Sequence, residues 1–329
     1  MRAVQVREFD NLDAASVVHT DAPVPADDEI VIDVAAAPVN FVDLVAMRGA
    51  YQFRPTLPYT PGKGPAGHVS AVGAKVQHLK VGDRVLGMAE YGGYAEKCVV
   101  RADQAYLLPA DLRFVDAAAM SLAFDTAWMS LVERGRLAPG ESVLVLGASG
   151  AVGGAAVQLA KALGAGTVLA GVSKASRFDE IAPLGADNYV LQSGDNLRDS
   201  LRDRVLELTA GHGVNVVIDA IGGDAFDGAI RAVAWRGRAV IVGFASGRIP
   251  TLKMNYPMLK NIEVSGLQIS DYRKRAPELM DRCFQNIFEL YSQGRLIPPR
   301  SETFSLDQWR TAVDALGCQP AGARLILTP

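Results

Sequence analysis

Residues 143–166, VLVLGASGAVGGAAVQLAKALGAG, read as a strand, a glycine turn and a helix in immediate succession, and this unit constrains the fold more than any other segment. Val143, Leu144, Val145 and Leu146 form a short apolar run of the kind buried on both faces of a parallel sheet. Gly150 and Gly153 punctuate the turn, and beyond it Val152, Ala156, Leu159 and Leu163 recur at helical spacing. Gly164 stands where a helix commonly ends in glycine. A helix that opens directly after a strand offers backbone N–H groups and the positive end of its dipole to an anion, and glycine lets a pyrophosphate approach the main chain. Ala148 takes the place of the first glycine of a GxGxxG pattern, so the inference rests on the strand, turn and helix together. A membrane span is a poor reading, because Gly147, Ser149, Gly150, Gly153, Gly154 and Gln158 would face lipid badly and Lys161 ends the run.

The next run, TVLAGVS at 167–173, predicts the second strand of a βαβ unit. Sites for NAD usually place Asp or Glu at this strand end to bond the ribose 2′-hydroxyl, whereas a 2′-phosphate needs hydroxyl and cationic partners. Here stand Ser173, Lys174 and Arg177, with no carboxylate before Asp179. The pattern predicts NADP(H); the alternative is that Lys174 and Arg177 are solvated at a helix start, where cations gain nothing from the dipole. Gly150, Ala151, Val152, Gly153 and Gly171 join them as expected cofactor contacts. Strands are expected again at 214–223 and 238–247. Their glycine-rich ends make Gly222, Gly243, Phe244 and Ala245 candidate walls of a nicotinamide pocket. Asp219 is expected to satisfy backbone donors at its strand end.

Residues 1 to about 122 differ in character. Short β-rich runs (AVQVREF, EIVIDVAAA, GHVSAVG, DRVLGMA, EKCVVRA) are separated by Pro and Gly turns, which suits a curled antiparallel domain. At 329 residues, 49% of them hydrophobic, the chain can fill two cores. Its 33 basic and 36 acidic residues are well mixed, so neither a nucleic-acid nor a membrane surface is expected. Cys98, Cys283 and Cys318 are far apart and odd in number, and read as reduced thiols rather than a disulfide framework or metal cluster. The opening MRAVQV has no secretory character, and a cytoplasmic location is expected.

The order of motifs resembles the medium-chain dehydrogenase/reductase superfamily and, within it, the zinc-independent NADPH:quinone oxidoreductases. The resemblance runs through APVNFVDLVAMRGAY (37–51), PYTPGKGPAGHVSAVG (58–73), KVGDRVLGM, YGGYAE, AFDTAWMSL, the glycine turn, LGAD (184–187), GRAVIVGFASG and KNIEVSGL. It implies an α/β fold in which a GroES-like β-rich catalytic domain (1–122 and 267–329) accompanies a Rossmann, doubly wound NADP(H)-binding domain (123–266). Zinc alcohol dehydrogenases of the same superfamily bind metal through a Cys and a His-Glu pair. Asn40, Lys63 and Gly64 stand at those places, so no metal is expected.

The resemblance implies hydride transfer from NADPH to a quinone or an α,β-unsaturated carbonyl (enone). Tyr51 is the expected donor to the acceptor's oxygen, with solvent as the alternative source of the proton, and Asn40 is expected to orient the acceptor or a water. Asp43 is expected to hold backbone or an arginine such as Arg48. Thr126 and Leu267 resemble residues that meet the nicotinamide. At the position where relatives often carry a tyrosine beside the 2′-phosphate this chain has Gln192. Two further readings stay open: an enoyl-thioester reductase, for which Arg48, Arg54 and Lys63 are candidate coenzyme A phosphate contacts, and a low-turnover NADPH-binding sensor or structural protein. A homodimer is expected through 260–269.

Overall fold

The computed structural model describes residues 1–318, 320 and 322–329. Its strands in chain order are β1 (Arg2–Gln5), β2 (Ser16–His19), β3 (Glu29–Val39), β4 (Ala66–Val72), β5 (Arg84–Gly87), β6 (Lys97–Arg101), β7 (Ala105–Leu107), β8 (Ser142–Leu146), β9 (Thr167–Val172), β10 (Asn188–Leu191), β11 (Val214–Asp219), β12 (Val233–Ile241), β13 (Glu263–Gly266), β14 (Ser301–Ser305) and β15 (Arg324–Thr328). The chain divides into two compact units.

The first unit comprises Met1–Leu122, Arg273–Asp281 and Pro298–Pro329. Its main sheet runs β14-β15-β3-β4-β5-β7, with β6 also paired to β3. All neighbours are antiparallel except β14 and β15. The long strand β3 is its spine: Ile32 lies opposite Val69 of β4 on one side and Cys98 of β6 on the other. Val4, Ile30, Ile32, Val69 and Val85 contribute to one apolar core, which is where strand alternation places them, and Trp309 joins it from the helix Trp309–Asp314.

The second unit comprises Ala123–Tyr272 and Arg282–Ile297. Six strands form a wholly parallel sheet in the order β10-β9-β8-β11-β12-β13. Counted within the unit this is 3-2-1-4-5-6, the doubly wound order, whose direction reverses between β8 and β11. Val143, Leu144, Val145 and Leu146 are all 0% exposed, as the uninterrupted apolar run requires. Leu146 is in register with Gly171 and with Asp219, so the turns after β8, β9 and β11 emerge at one level of the sheet.

The expected return to the first domain at residue 267 differs from what is found. Leu267 belongs to the second unit, its N–H bonded to the Ile241 carbonyl at 2.9 Å, and so do Arg282–Ile297. The reason lies in side-chain contacts that strand and helix patterns do not register. Gln158 accepts from the Ile297 N–H at 2.8 Å and donates to its carbonyl at 3.2 Å, and Arg295 donates to the Ala162 carbonyl. These bonds dock the segment on helix Ala151–Ala162. Among the described residues no helix is long and apolar enough to cross a membrane.

Candidate active site

The glycine turn lies at the reversal point of the second unit's sheet. Gly147 has a φ of +75°, a left-handed conformation in which glycine is favoured, and Gly150 donates to its carbonyl at 2.9 Å. The left-handed position therefore falls on Gly147 rather than on Ala148, which explains why alanine is accepted one residue later. Helix Ala151–Ala162 starts immediately after Gly150. A Cβ on Gly153 would lie 2.0 Å from the Gly147 carbonyl oxygen, so only glycine lets this helix pack so tightly on the turn. The first-turn N–H groups of Ala151, Val152 and Gly153 precede the first residue that can bond back within the helix.

Strand β10, which the sequence reading did not anticipate, brings Gln192 to the same turn. Its side-chain oxygen accepts from the Gly147 N–H at 2.8 Å and packs so close to Gly171 that a Cβ there would meet it at 2.9 Å. Gln192 thus braces the turn. Ser173 and Lys174 follow β9 and are exposed. Ser193 donates to the Ser173 carbonyl at 2.5 Å, and Arg177, one-third exposed, makes a loose ion pair with Glu180 at 3.5 Å.

The turns after β11 and β12 interlock. Val242 and Gly243 donate to the Asp219 carbonyl at 2.7 and 3.3 Å, and Ala245 donates to that of Ala220 at 3.1 Å. Asp219 behaves as expected: Oδ1 accepts from the Ile221 and Gly222 N–H groups at 2.8 Å each. Burial raises its pKa above the ordinary value, and Oδ2 has no hydrogen-bond partner among the described residues. Phe244 is exposed beside this lacework. Thr126 is buried in helix Ala123–Trp128, with its carbonyl accepting from Ser130 Oγ at 2.7 Å.

In the first unit, Asn40 precedes helix Phe41–Met47 and is 5% exposed. Its backbone N–H and Nδ2 both donate to Asp43 Oδ2 at 3.0 Å, while its Oδ1 accepts from Arg324 at 2.6 Å. This amide is committed to buried protein partners, which differs from the expected role of orienting an acceptor. Tyr94 adds a hydroxyl to Asp43 Oδ2 at 3.2 Å. Burial pushes the Asp43 carboxyl up to about 6, against the opposing pull of the Lys63 ammonium, and pushes the Arg324 guanidinium down to about 10. The arginine beside Asn40 and Asp43 is therefore Arg324, and Arg48 is exposed.

Beside this network the first unit has an open cavity of about 750 Å³. Tyr51, Phe53, Tyr59 and Tyr91 supply aromatic wall, and Asp43, Lys63 and Glu90 supply charge. Tyr51 meets Phe53 edge-on with centroids 5.9 Å apart. Lys63, its side chain 5% exposed, donates to the Glu90 carbonyl at 2.8 Å and to Glu90 Oε2 at 2.5 Å. Of the three candidate phosphate contacts, Lys63 is thus buried and paired, whereas Arg48 and Arg54 are exposed. Lys274, which the sequence reading overlooked, lies 4.3 Å from the Phe53 ring centroid.

Two family models match the chain, an alcohol dehydrogenase GroES-like domain over residues 26–110 and a zinc-binding dehydrogenase over 151–285. The quinone oxidoreductase-like protein 2 homolog of Nematostella vectensis is 36% identical over 282 residues, covering 85% of this chain and 76% of that protein. The chain belongs to the zinc-independent quinone oxidoreductase-like family of the medium-chain dehydrogenase/reductase superfamily. Escherichia coli quinone oxidoreductase, solved in complex with NADPH, is 27% identical and superposes with a TM-score of 0.88 over the whole of both chains. A mycocerosic acid synthase-like polyketide synthase of Mycobacterium tuberculosis is 30% identical over 98% of this chain, which spans 15% of that protein. In this quinone oxidoreductase-like protein no group of three or more His, Cys, Asp or Glu side chains among the described residues is placed to hold a metal ion.

Proposed function

We propose that this oxidoreductase reduces quinones or α,β-unsaturated carbonyls with NADPH, acting as a cytoplasmic homodimer. The glycine cradle fits the cofactor, since the space at Gly153 is one that a Cβ would fill. In this reading Gly150, Ala151, Val152 and Gly153 receive the pyrophosphate and Gly171 lines its approach. Ser173, Lys174 and Arg177 hold the 2′-phosphate, and Thr126, Gly243, Phe244, Ala245 and Leu267 surround the nicotinamide. When bound, the cofactor supplies a hydride. The buried thiols of Cys98 and Cys283 are in keeping with a reducing compartment.

The observation that carries the acceptor class is the cavity of the first unit, where an aromatic wall meets hydrogen-bond donors. Such a site suits a flat, apolar acceptor with a carbonyl oxygen. Tyr51 donates to that oxygen, and Asn40 serves as a positioning residue that holds Asp43. Exposed Arg54 and Lys274, both on the cavity, favour a second reading in which the acceptor is an enoyl thioester bearing phosphates.

The test is a screen of NADPH oxidation against quinones, cyclic and linear enones, and enoyl thioesters, repeated with NADH. Quinone or enone turnover is expected. NADPH should be preferred by roughly tenfold or more, since one hydrogen bond to a charged group is worth about 1.5–3 kcal/mol. Turnover of thioesters alone would establish the second reading, and binding without turnover would leave a sensor or structural protein.

A further inference from the structure

Lys63 stands where zinc alcohol dehydrogenases carry a metal-ligating histidine, and it brings a positive charge to that place by other means. Its side chain is buried on the wall of the 750 Å³ cavity. An ammonium has three N–H bonds. Two are committed to Glu90, one to its carbonyl at 2.8 Å and one to Oε2 at 2.5 Å, and these fix the nitrogen. The third has no protein acceptor among the described residues. Glu90 also faces Arg273 at 3.9 Å, so its carboxylate is divided between two cations and neutralises Lys63 incompletely. The Tyr51 ring lies across the nitrogen, with its centroid 5.2 Å away. That contact sets Lys63 beside the tyrosine that donates to the acceptor.

We propose that Lys63 is the electrophile of this site, donating its third N–H to the acceptor's carbonyl oxygen and carrying the negative charge that develops there. This rests on the reductase reading. For an enone, a hydride with its electron pair passes from NADPH to the β-carbon, forming a C–H bond and leaving NADP⁺. The C=C pair shifts toward the carbonyl carbon, and the carbonyl π pair comes to rest on oxygen as an enolate. A proton from water, or from Tyr51 reprotonated by water, then adds to the α-carbon as the oxygen's electron pair re-forms the C=O bond, which gives the saturated ketone. A cation held in place beforehand favours the enolate more than the neutral ground state, which is the condition for acceleration.

Removing Lys63 alone would leave the half-buried Glu90 carboxylate without its nearest counter-ion, so the deciding variant is the neutral double change Lys63→Met with Glu90→Gln. Two readouts are required. With the acceptor found by screening, kcat/KM should fall ~100-fold, the scale of one oxyanion donor, while NADPH affinity stays within about twofold. With cofactor-free protein and 4-nitrophenol as probe, the wild type should bind the yellow phenolate in preference to the phenol, and the double variant should lose that preference. Lys63→Arg, which keeps the charge, should retain part of it. Equal phenolate preference in wild type and double variant, or turnover within about twofold of wild type, would overturn the role of Lys63. Failure of the wild type to turn over any acceptor would instead sink the reductase reading, and the phenolate readout still separates the two.

Discussion

Asp43 is the residue at which burial and charge conflict most plainly. It is 2% exposed, and three donor hydrogens converge on Oδ2, yet its pKa rises to about 6 because desolvation outweighs them. The folded state therefore holds the proton more tightly than the unfolded chain, where the value is near 3.8. The stabilisation is full below the unfolded value and is lost as pH rises through about 6. At 1.36 kcal/mol per unit it amounts to about 3 kcal/mol. Asp43→Asn keeps an oxygen for the Asn40 and Tyr94 donors but cannot ionise. Urea unfolding from pH 4 to 7 should show the wild type losing about 2 kcal/mol of this relative to the variant, and parallel profiles would show that Asp43 ionises as freely in the fold as outside it. The sequence singled out both Asn40 and Asp43 but could not say what they bond, because Arg324 arrives from 284 residues away.

The strand β8, the glycine turn and helix Ala151–Ala162 were legible as a unit because an apolar run and a 3.6-residue period leave few alternatives. Strand β10 was not, since Asn188–Leu191 is only four residues long and its register is set by β9 rather than by its own pattern. With it went the role of Gln192, whose meaning depends on arriving beside Gly147. The turn yields a prediction whose sign is opposite to propensity. Glycine-to-alanine changes inside a helix ordinarily gain about 1 kcal/mol. At Gly153 the new Cβ would stand 2.0 Å from a backbone oxygen, and overpacking of that kind costs about 1–3 kcal/mol. Gly153→Ala should lower the melting temperature and weaken NADPH binding at least ~10-fold, the more so because the turn must shift to admit it. Gly150→Ala meets the same oxygen at 3.3 Å and should be milder on both counts. A rise in melting temperature for Gly153→Ala would mean the turn yields freely.

At the scale of the whole molecule, the change in pattern near residue 122 separates an antiparallel unit from a parallel one, whereas the allegiance of residues 282–297 was not legible. An amphipathic helix declares that it has an apolar face but not which core receives it. The same limit bears on assembly. Among the described residues strand β13 pairs only with β12 and lies at the margin of the six-stranded sheet, leaving a row of backbone donors and acceptors for another strand. Just before it Ile249, Met254, Met258 and Leu259 are 69–75% exposed, a concentration of large apolar side chains that a monomer seldom leaves to water. A two-fold pairing of this segment with its copy would satisfy the strand edge and cover the apolar side chains with one contact. Sedimentation equilibrium should therefore find a dimer at micromolar concentration. Met258→Glu combined with Leu259→Lys should shift it to monomer while leaving NADPH affinity within about twofold, since both are exposed residues of the helix Asn255–Lys260 and not of the glycine turn. A wild type that sediments as a monomer, or a variant that stays dimeric, would place the contact elsewhere or remove it.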